Sequence, residues 1–327
     1  MILLVVTVVV ALAFDFTNGF HDTANAVATS VSTRALSPRL AVLIAALANL
    51  AGAFATTAVA TTVGKGIIDA GLATPQTVLA ALIGAITWNL LTWFFGLPSS
   101  SSHALIGGLI GAAIAQSGLD GVQWHGVAHK VIIPAVWAPA IAFGAAFVFL
   151  LAIFWVFQKL TPGVANRSFR LGQLASGTWV AFTHGANDAQ KTMGVIALAL
   201  YTHGSISTFY IPDWVRVACA LMIGAGTYAG GWRIMRTVGQ RIFKMDPPAG
   251  FAAQATAGAV IWFSTKAGYP LSTTHVVSGA VMGSGATRRL SAVRWGVAGN
   301  IVTAWILTLP AAALVAAIAW YPVEAIF

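Results

Sequence analysis

Charge is scarce in this 327-residue chain: 8% of its residues are Asp, Glu, Lys or Arg, where a soluble domain carries roughly 25%. With 58% hydrophobic residues beside so few ionic groups, a water-soluble fold is excluded. Cysteine is nearly absent. The single Cys219 lies in an apolar run, which rules out an intramolecular disulfide and any thiolate metal spacing. No polar stretch is long enough for a separate soluble domain. Met1 to Ala13 lack both a basic segment and a small-residue cleavage pattern, so they are expected to remain as part of the first spanning segment. Acidic residues number 8 against 17 basic ones, a formal net charge of +9. The basic residues are scattered through short loops, an arrangement that speaks against nucleic acid and for membrane orientation.

Long apolar runs are what the chain has in abundance. They cover 1–33, 39–63, 76–96, 98–116 and 131–157, and the order repeats as 171–200, 214–232, 249–267, 270–286 and 292–320. Such runs describe an all-α polytopic membrane protein with roughly 8–10 crossings. The first and sixth runs carry polar interruptions that match. Phe182 to Lys191 reads Phe-Thr-His-Gly-Ala-Asn-Asp-Ala-Gln-Lys, and Gly19 to Asn25 reads Gly-Phe-His-Asp-Thr-Ala-Asn. A shift of 166 sets Gly19 on Gly185, Asp22 on Asp188 and Asn25 on Lys191. A second pair, Gly-Leu-Pro-Ser-Ser-Ser-Ser-His at 96–103 and Gly-Tyr-Pro-Leu-Ser-Thr-Thr-His at 268–275, is related by a shift of 172. The chain is therefore read as a duplication, 1–157 and 171–327, joined by a linker at 158–170.

Twelve of the 17 cationic residues fall in four alternate loops, around Arg34, Lys159 to Arg170, Arg233 to Lys244 and Arg288 to Arg294. Setting these loops inside the cell gives the two copies opposite topology and puts both termini outside a multi-pass plasma-membrane protein. Inverted repeats with interrupted spans are the mark of secondary transporters, whose site lies where the repeats meet.

Ionisable groups at membrane depth cost roughly 2.5 to 3.5 kcal/mol each and point to function. Asp22, Asp188, His21 and His184 are the candidates for the coupling ion. Gly19 and Gly185 are expected to break their helices and free backbone groups for a ligand. Pro98 and Pro270 break the chain ahead of hydroxyl runs at helix starts, which suit a tetrahedral oxyanion. Ser101, Ser102, Thr273 and Thr274, with Asn25, Asn187 and Lys191, are the candidate anion ligands. Each also has a plainer role open to it: hydroxyls bond their own helix, asparagines glue helices together, and Lys191 snorkels. His103 and His275 are candidate proton carriers or hydrogen-bonded structural residues. Asp15 fits a cation or a helix-end role. No catalytic residue, tightly bound cofactor or resident metal site is expected. Lys191 is the informative asymmetry, because its counterpart Asn25 is neutral; an ammonium there stands where a cation would sit, or reaches the anion.

At these residues the sequence resembles the inorganic phosphate transporter family, the low-affinity Pit-type carriers related to sodium–phosphate symporters. Gly19 to Thr29 and His184 to Lys191 look like that family's paired signatures, as do the two Pro-hydroxyl-His stretches. The resemblance covers essentially the whole chain. It implies inward transport of inorganic phosphate by alternating access, coupled to a cation, often in a homodimer. In sodium-coupled members both signatures look like Gly-Ala-Asn-Asp, with an Asn three residues beyond the Asp. Here His21 replaces the first Asn and Lys191 the last. Those departures resemble the bacterial branch associated with proton symport and with neutral metal–phosphate complexes. Sulfate, another tetrahedral oxyanion, and an anion channel are the alternatives. A membrane esterase using Ser102 and His103 is disfavoured, since adjacent helical residues point about 100° apart.

Overall fold

In a computed structural model describing all residues 1–327, the chain is a bundle of helices with no sheet, carrying one isolated bridge between Ile68 and Val122. The elements are α1 (Ile2–Ser32), α2 (Pro38–Gly52), α3 (Ala58–Lys65), α4 (Pro75–Phe95), α5 (Ser101–Ser117), α6 (Trp124–Gly126) and α7 (Ile133–Val156). The second half follows with α8 (Pro162–Thr202), α9 (Asp213–Ala229), α10 (Trp232–Arg236), α11 (Pro247–Lys266), α12 (Thr273–Arg288) and α13 (Trp295–Ile326). Five helices are long and apolar enough to cross a membrane: α1, α4, α5 with its following turn, the rod Trp124–Val156, and α13. Their outer faces expose Phe94, Val136, Ile306 and Leu314, whereas buried polar side chains crowd the interior. Polar and charged groups are thereby kept away from hydrocarbon.

The packing is reciprocal between the halves. α1 lies against α9, and α8 against α2. The hairpin α4–α5 packs on α13, the last helix of the other half, and the hairpin α11–α12 packs on α7. Small residues make this approach close. A Cβ on Gly107 or Gly111 would strike the carbonyls of Leu309 or Ala313, and one on Gly279 would come within 2.5 Å of the Pro139 carbonyl. Gly107 and Gly111 are related to Gly279 and Gly283 by the same shift of 172 that relates the proline motifs. α1 and α8 cross in antiparallel register: Asp15 faces Thr192, Asp22 faces His184, and Thr33 faces Gln173.

Three expectations need correction. α1 and α8 run unbroken through Gly19 and Gly185. These glycines serve close packing, not flexibility: a Cβ on Gly19 would lie 2.6 Å from the Ile223 carbonyl, and one on Gly185 would overlap the Asn49 carbonyl. The interrupted helices are instead α2/α3 and α9/α10, in runs 39–63 and 214–232 that read as continuous. Gln190 of α8 accepts from the backbone N–H of Val59 at 2.8 Å, capping the restarted helix, while Gly230 takes a left-handed φ of 79° at the second break. Finally, most of the expected linker 158–170 is helical, since α8 already begins at Pro162.

Replacing Gly279 by Ala is expected to lower the unfolding temperature of the detergent-solubilised protein by several degrees, because overpacking at a backbone contact costs about 1–3 kcal/mol. Gly144→Ala, where a Cβ would meet nothing within 4 Å, is the control and should leave it unchanged.

Candidate substrate and cation site

The tips of the two hairpins meet inside the bundle. Gly96 and Gly268 end α4 and α11, with φ of 65° and 74°, and the proline that follows each turns the chain before the next helix starts. Ser100 caps α5 by accepting from the His103 N–H at 3.1 Å, and Ser272 caps α12 from the His275 N–H at 3.2 Å. Each cap satisfies the third N–H of its helix. The N–H groups of Ser101, Ser102, Thr273 and Thr274 are left without intrahelical acceptors, at the positive ends of two helix dipoles. Ser102 donates to the Leu271 carbonyl at 3.0 Å, which joins one tip to the other.

α1 and α8 bring the charged groups to these tips. Lys191 Nζ lies 2.6 Å from Asp188 Oδ1 and 2.8 Å from the Leu271 carbonyl, and it also donates to Ser102. Asn25, its counterpart, donates to Thr274 at 2.9 Å. The shifts of 166 and 172 predict this exchange: position 25 meets position 274 of the other half, and position 191 meets position 102. Thr274 donates to Asp22 at 3.3 Å and Thr273 to Asp188 at 3.5 Å. All of these side chains are enclosed, none being more than 3% exposed.

His184 stands between the two carboxylates, its Nε2 at 3.3 Å from Asp188 and 4.0 Å from Asp22. Its Nδ1 is 2.8 Å from Asn49 Oδ1. The Asn49 amide nitrogen donates to Thr227 at 2.9 Å, and Thr227 itself donates to the Ile223 carbonyl at 2.8 Å, so Asn49 oxygen is an acceptor and His184 Nδ1 carries a proton. Nε2 then faces two carboxylates, an approach that is favourable only with a proton on it or a cation beside it. Ligand atoms of Asp22, His184 and Asp188 all lie within 4.8 Å of one another, a donor set able to hold a cation.

Other candidates fall in different places. His21 binds Asp22 at 2.7 Å and reaches Thr92 of α4 at 3.1 Å, with Ser101 at 3.4 Å. Asn187, expected among the anion ligands, turns instead to the arm of the second hairpin, donating to Thr265 at 2.8 Å and to the Tyr269 carbonyl at 3.2 Å. His103 and His275 pack ring against ring at 4.8 Å behind the tips, and His275 stacks on Trp305 at 4.0 Å. Asp15 accepts from Thr192 at 2.9 Å and keeps a second buried oxygen without a partner. Sequence reasoning passed over Asn49, Thr92, Thr192 and Thr265. Asn49 carried a signal, an amide alone in an apolar run; the threonines did not, because isolated hydroxyls commonly bond their own helix.

The model of the phosphate transporter family matches residues 18–316. The chain belongs to that family. A Mycobacterium tuberculosis protein named "Probable low-affinity inorganic phosphate transporter" is 54% identical over 321 residues, which are 96% of this chain and 76% of that protein. Rhizobium meliloti and Bacillus subtilis proteins of the same name are 49% and 45% identical, covering 98% and 100% of this chain and 97% and 99% of their own. Among solved structures, one described as the sodium-dependent phosphate transporter superposes with a TM-score of 0.90 at 25% identity over the full length of both chains. The family and its relatives are transporters, not enzymes.

Lys191→Met would leave Asp188 enclosed without its ammonium partner. A loss of about 3–5 kcal/mol is expected, read as a large fall in unfolding temperature, with partial recovery in the Lys191→Met/Asp188→Asn pair.

Proposed function

We propose that the protein imports inorganic phosphate across the plasma membrane by cation-coupled symport, with the proton as the coupling ion. One observation carries this reading: two hydroxyl-bearing helix N-termini and the Lys191 ammonium converge beside a carboxylate–histidine cluster. The N-termini and the ammonium suit a tetrahedral anion. The cluster suits the positive charge that must travel with it. Moving a phosphate dianion inward against a negative interior is opposed by about 2.3 kcal/mol per charge per 100 mV, so accompanying cations must offset it.

Lys191 already occupies Asp188, which leaves the space between Asp22, His184 and Asp188 for one small cation. A proton on His184 Nε2 fills it. A divalent metal arriving with phosphate is the second reading, favoured by the same three donors. To admit the anion, Lys191 and the Thr273 and Thr274 hydroxyls turn from the carboxylates toward phosphate oxygens. Alternating access would then follow from inverted repeats, a relation supported by the antiparallel crossing of α1 and α8 and by the reciprocal packing of the hairpins. In this topology the basic loops face the cytoplasm and both termini the outside, and the working form is a homodimer, as the family resemblance implies.

Phosphate uptake into proteoliposomes under an inward proton gradient, with and without sodium and magnesium, tests the proposal. Accumulation is expected without sodium. A strict sodium requirement would overturn proton coupling, and sulfate uptake without phosphate uptake would overturn the substrate. Lys191→Asn is expected to change either the cation dependence or the apparent phosphate affinity; if both stayed as in wild type, Lys191 would have no part in the site.

A further inference from the structure

We propose that the chain carries a second phosphate site, on the face where the basic loops gather, which receives the anion as it leaves the centre. The proposal rests on the phosphate-transport reading above. A recess of about 470 Å³ opens between the turn after α1, the early part of α8 and the segment before α11, lined by Ser32, Thr33, Arg34, Arg170, Lys244 and Asp246 among others. Arg34, Arg170 and Lys244 form no salt bridge, since the six ion pairs of the chain involve other residues. The one acid in the wall, Asp246, is engaged by Arg288 and caps α11 through the Ala249 N–H at 3.3 Å. Three cations and two hydroxyl-bearing residues around one concavity match the charge and donor needs of phosphate.

A polar file joins this recess to the central site. Asn25, Thr29 and Thr33 recur every four residues on one face of α1, which sets the recess about 12 Å along the helix from the anion ligands. Thr29 is 1% exposed, and its hydroxyl is without a partner. Beyond it stands one layer of neutral side chains from α1, α8 and α11. Thr33 donates to Gln173 at 2.7 Å, and Gln173 donates to the Pro247 carbonyl at 2.8 Å. Ser176 donates to Gln254 at 2.9 Å, and Gln254 donates to Ser30 at 2.7 Å. Gly177 keeps room for the layer, because a Cβ there would lie 3.0 Å from the Ser30 hydroxyl. Amides and hydroxyls can trade these bonds for phosphate oxygens without breaking a buried ion pair. The layer therefore works as a door, and the recess as the landing beyond it.

The test is equilibrium binding of radiolabelled phosphate to the purified full chain in neutral detergent, beside uptake in proteoliposomes. Two classes of site are expected. Arg170→Gln/Lys244→Gln should weaken the lower-affinity class about tenfold or more and spare the other, while Ser102→Ala/Thr274→Val should do the reverse. Arg170→Lys/Lys244→Arg should restore the weaker class. Unfolding temperature, expected to be unchanged in the surface variants, separates lost binding from lost fold. A single class indifferent to Arg170 and Lys244 overturns the second site and leaves the transport reading standing. Failure of wild-type uptake counts against transport, and with it against a landing site. A phosphate group is also the headgroup of a lipid. If phosphatidylglycerol displaced phosphate from the weaker class at membrane-like proportions, the recess would be a lipid site and the proposal would fall.

Discussion

Lys191 and Asp188 lie about as far from water as any residues in the chain, and an ion pair taken into a low-dielectric interior holds only when its remaining hydrogen bonds are met. Meeting them organises the bundle. Lys191 needs Ser102 and the Leu271 carbonyl, so the two hairpin tips must come together at α8. Asp188 needs His184, and His184 draws in Asp22 from α1 and Asn49 from α2. Four elements of the first half and three of the second are thereby tied to one cluster of charges.

The neutral counterpart of this pair lies one exchange away. Asn25 reaches Thr274 as Lys191 reaches Ser102, so the geometry is conserved between the halves while the charge is not. An ammonium is a permanent donor and cannot accept, whereas an amide can do both. Lys191 thus only donates, to Asp188, Ser102 and the Leu271 carbonyl, whereas Asn25 donates to Thr274 and keeps a buried acceptor oxygen without a partner. A second unlike pair stands beside it: His21 binds Asp22 and Thr92, while Asn187, at the matching position, turns to Thr265 and the Tyr269 carbonyl.

Much of this was legible in the sequence. The paired motifs and their shifts located the hairpin tips, the hydroxyl runs at helix starts, and the meeting of Lys191 with Asp188, because prolines and intramembrane charges carry strong local meaning. The helix breaks were misread for a specific reason. A glycine in an apolar run signals either a bend or a close neighbour, and only the identity of the neighbour separates the two; at Gly19 and Gly185 it is the backbone of another helix. The break between α2 and α3 had no proline to mark it and is stabilised by Gln190, 131 residues away in the chain. The partners of Asn187, Thr265 and the Tyr269 carbonyl, were not legible, since position in a helix does not tell which way an amide turns.

The reciprocal packing of hairpins on the last helix of the opposite half bears on how the protein is made. When α4 and α5 leave the ribosome, the helix that their glycines fit, α13, is nearly two hundred residues from being translated. Until then Gly107 and Gly111 lack the backbone of Leu309 and Ala313 against which they fit. The α11–α12 hairpin has no such wait, because α7 is already in the bilayer. Assembly of the two matched halves is therefore unequal in time: the α4–α5 hairpin waits for its partner helix, and the α11–α12 hairpin does not.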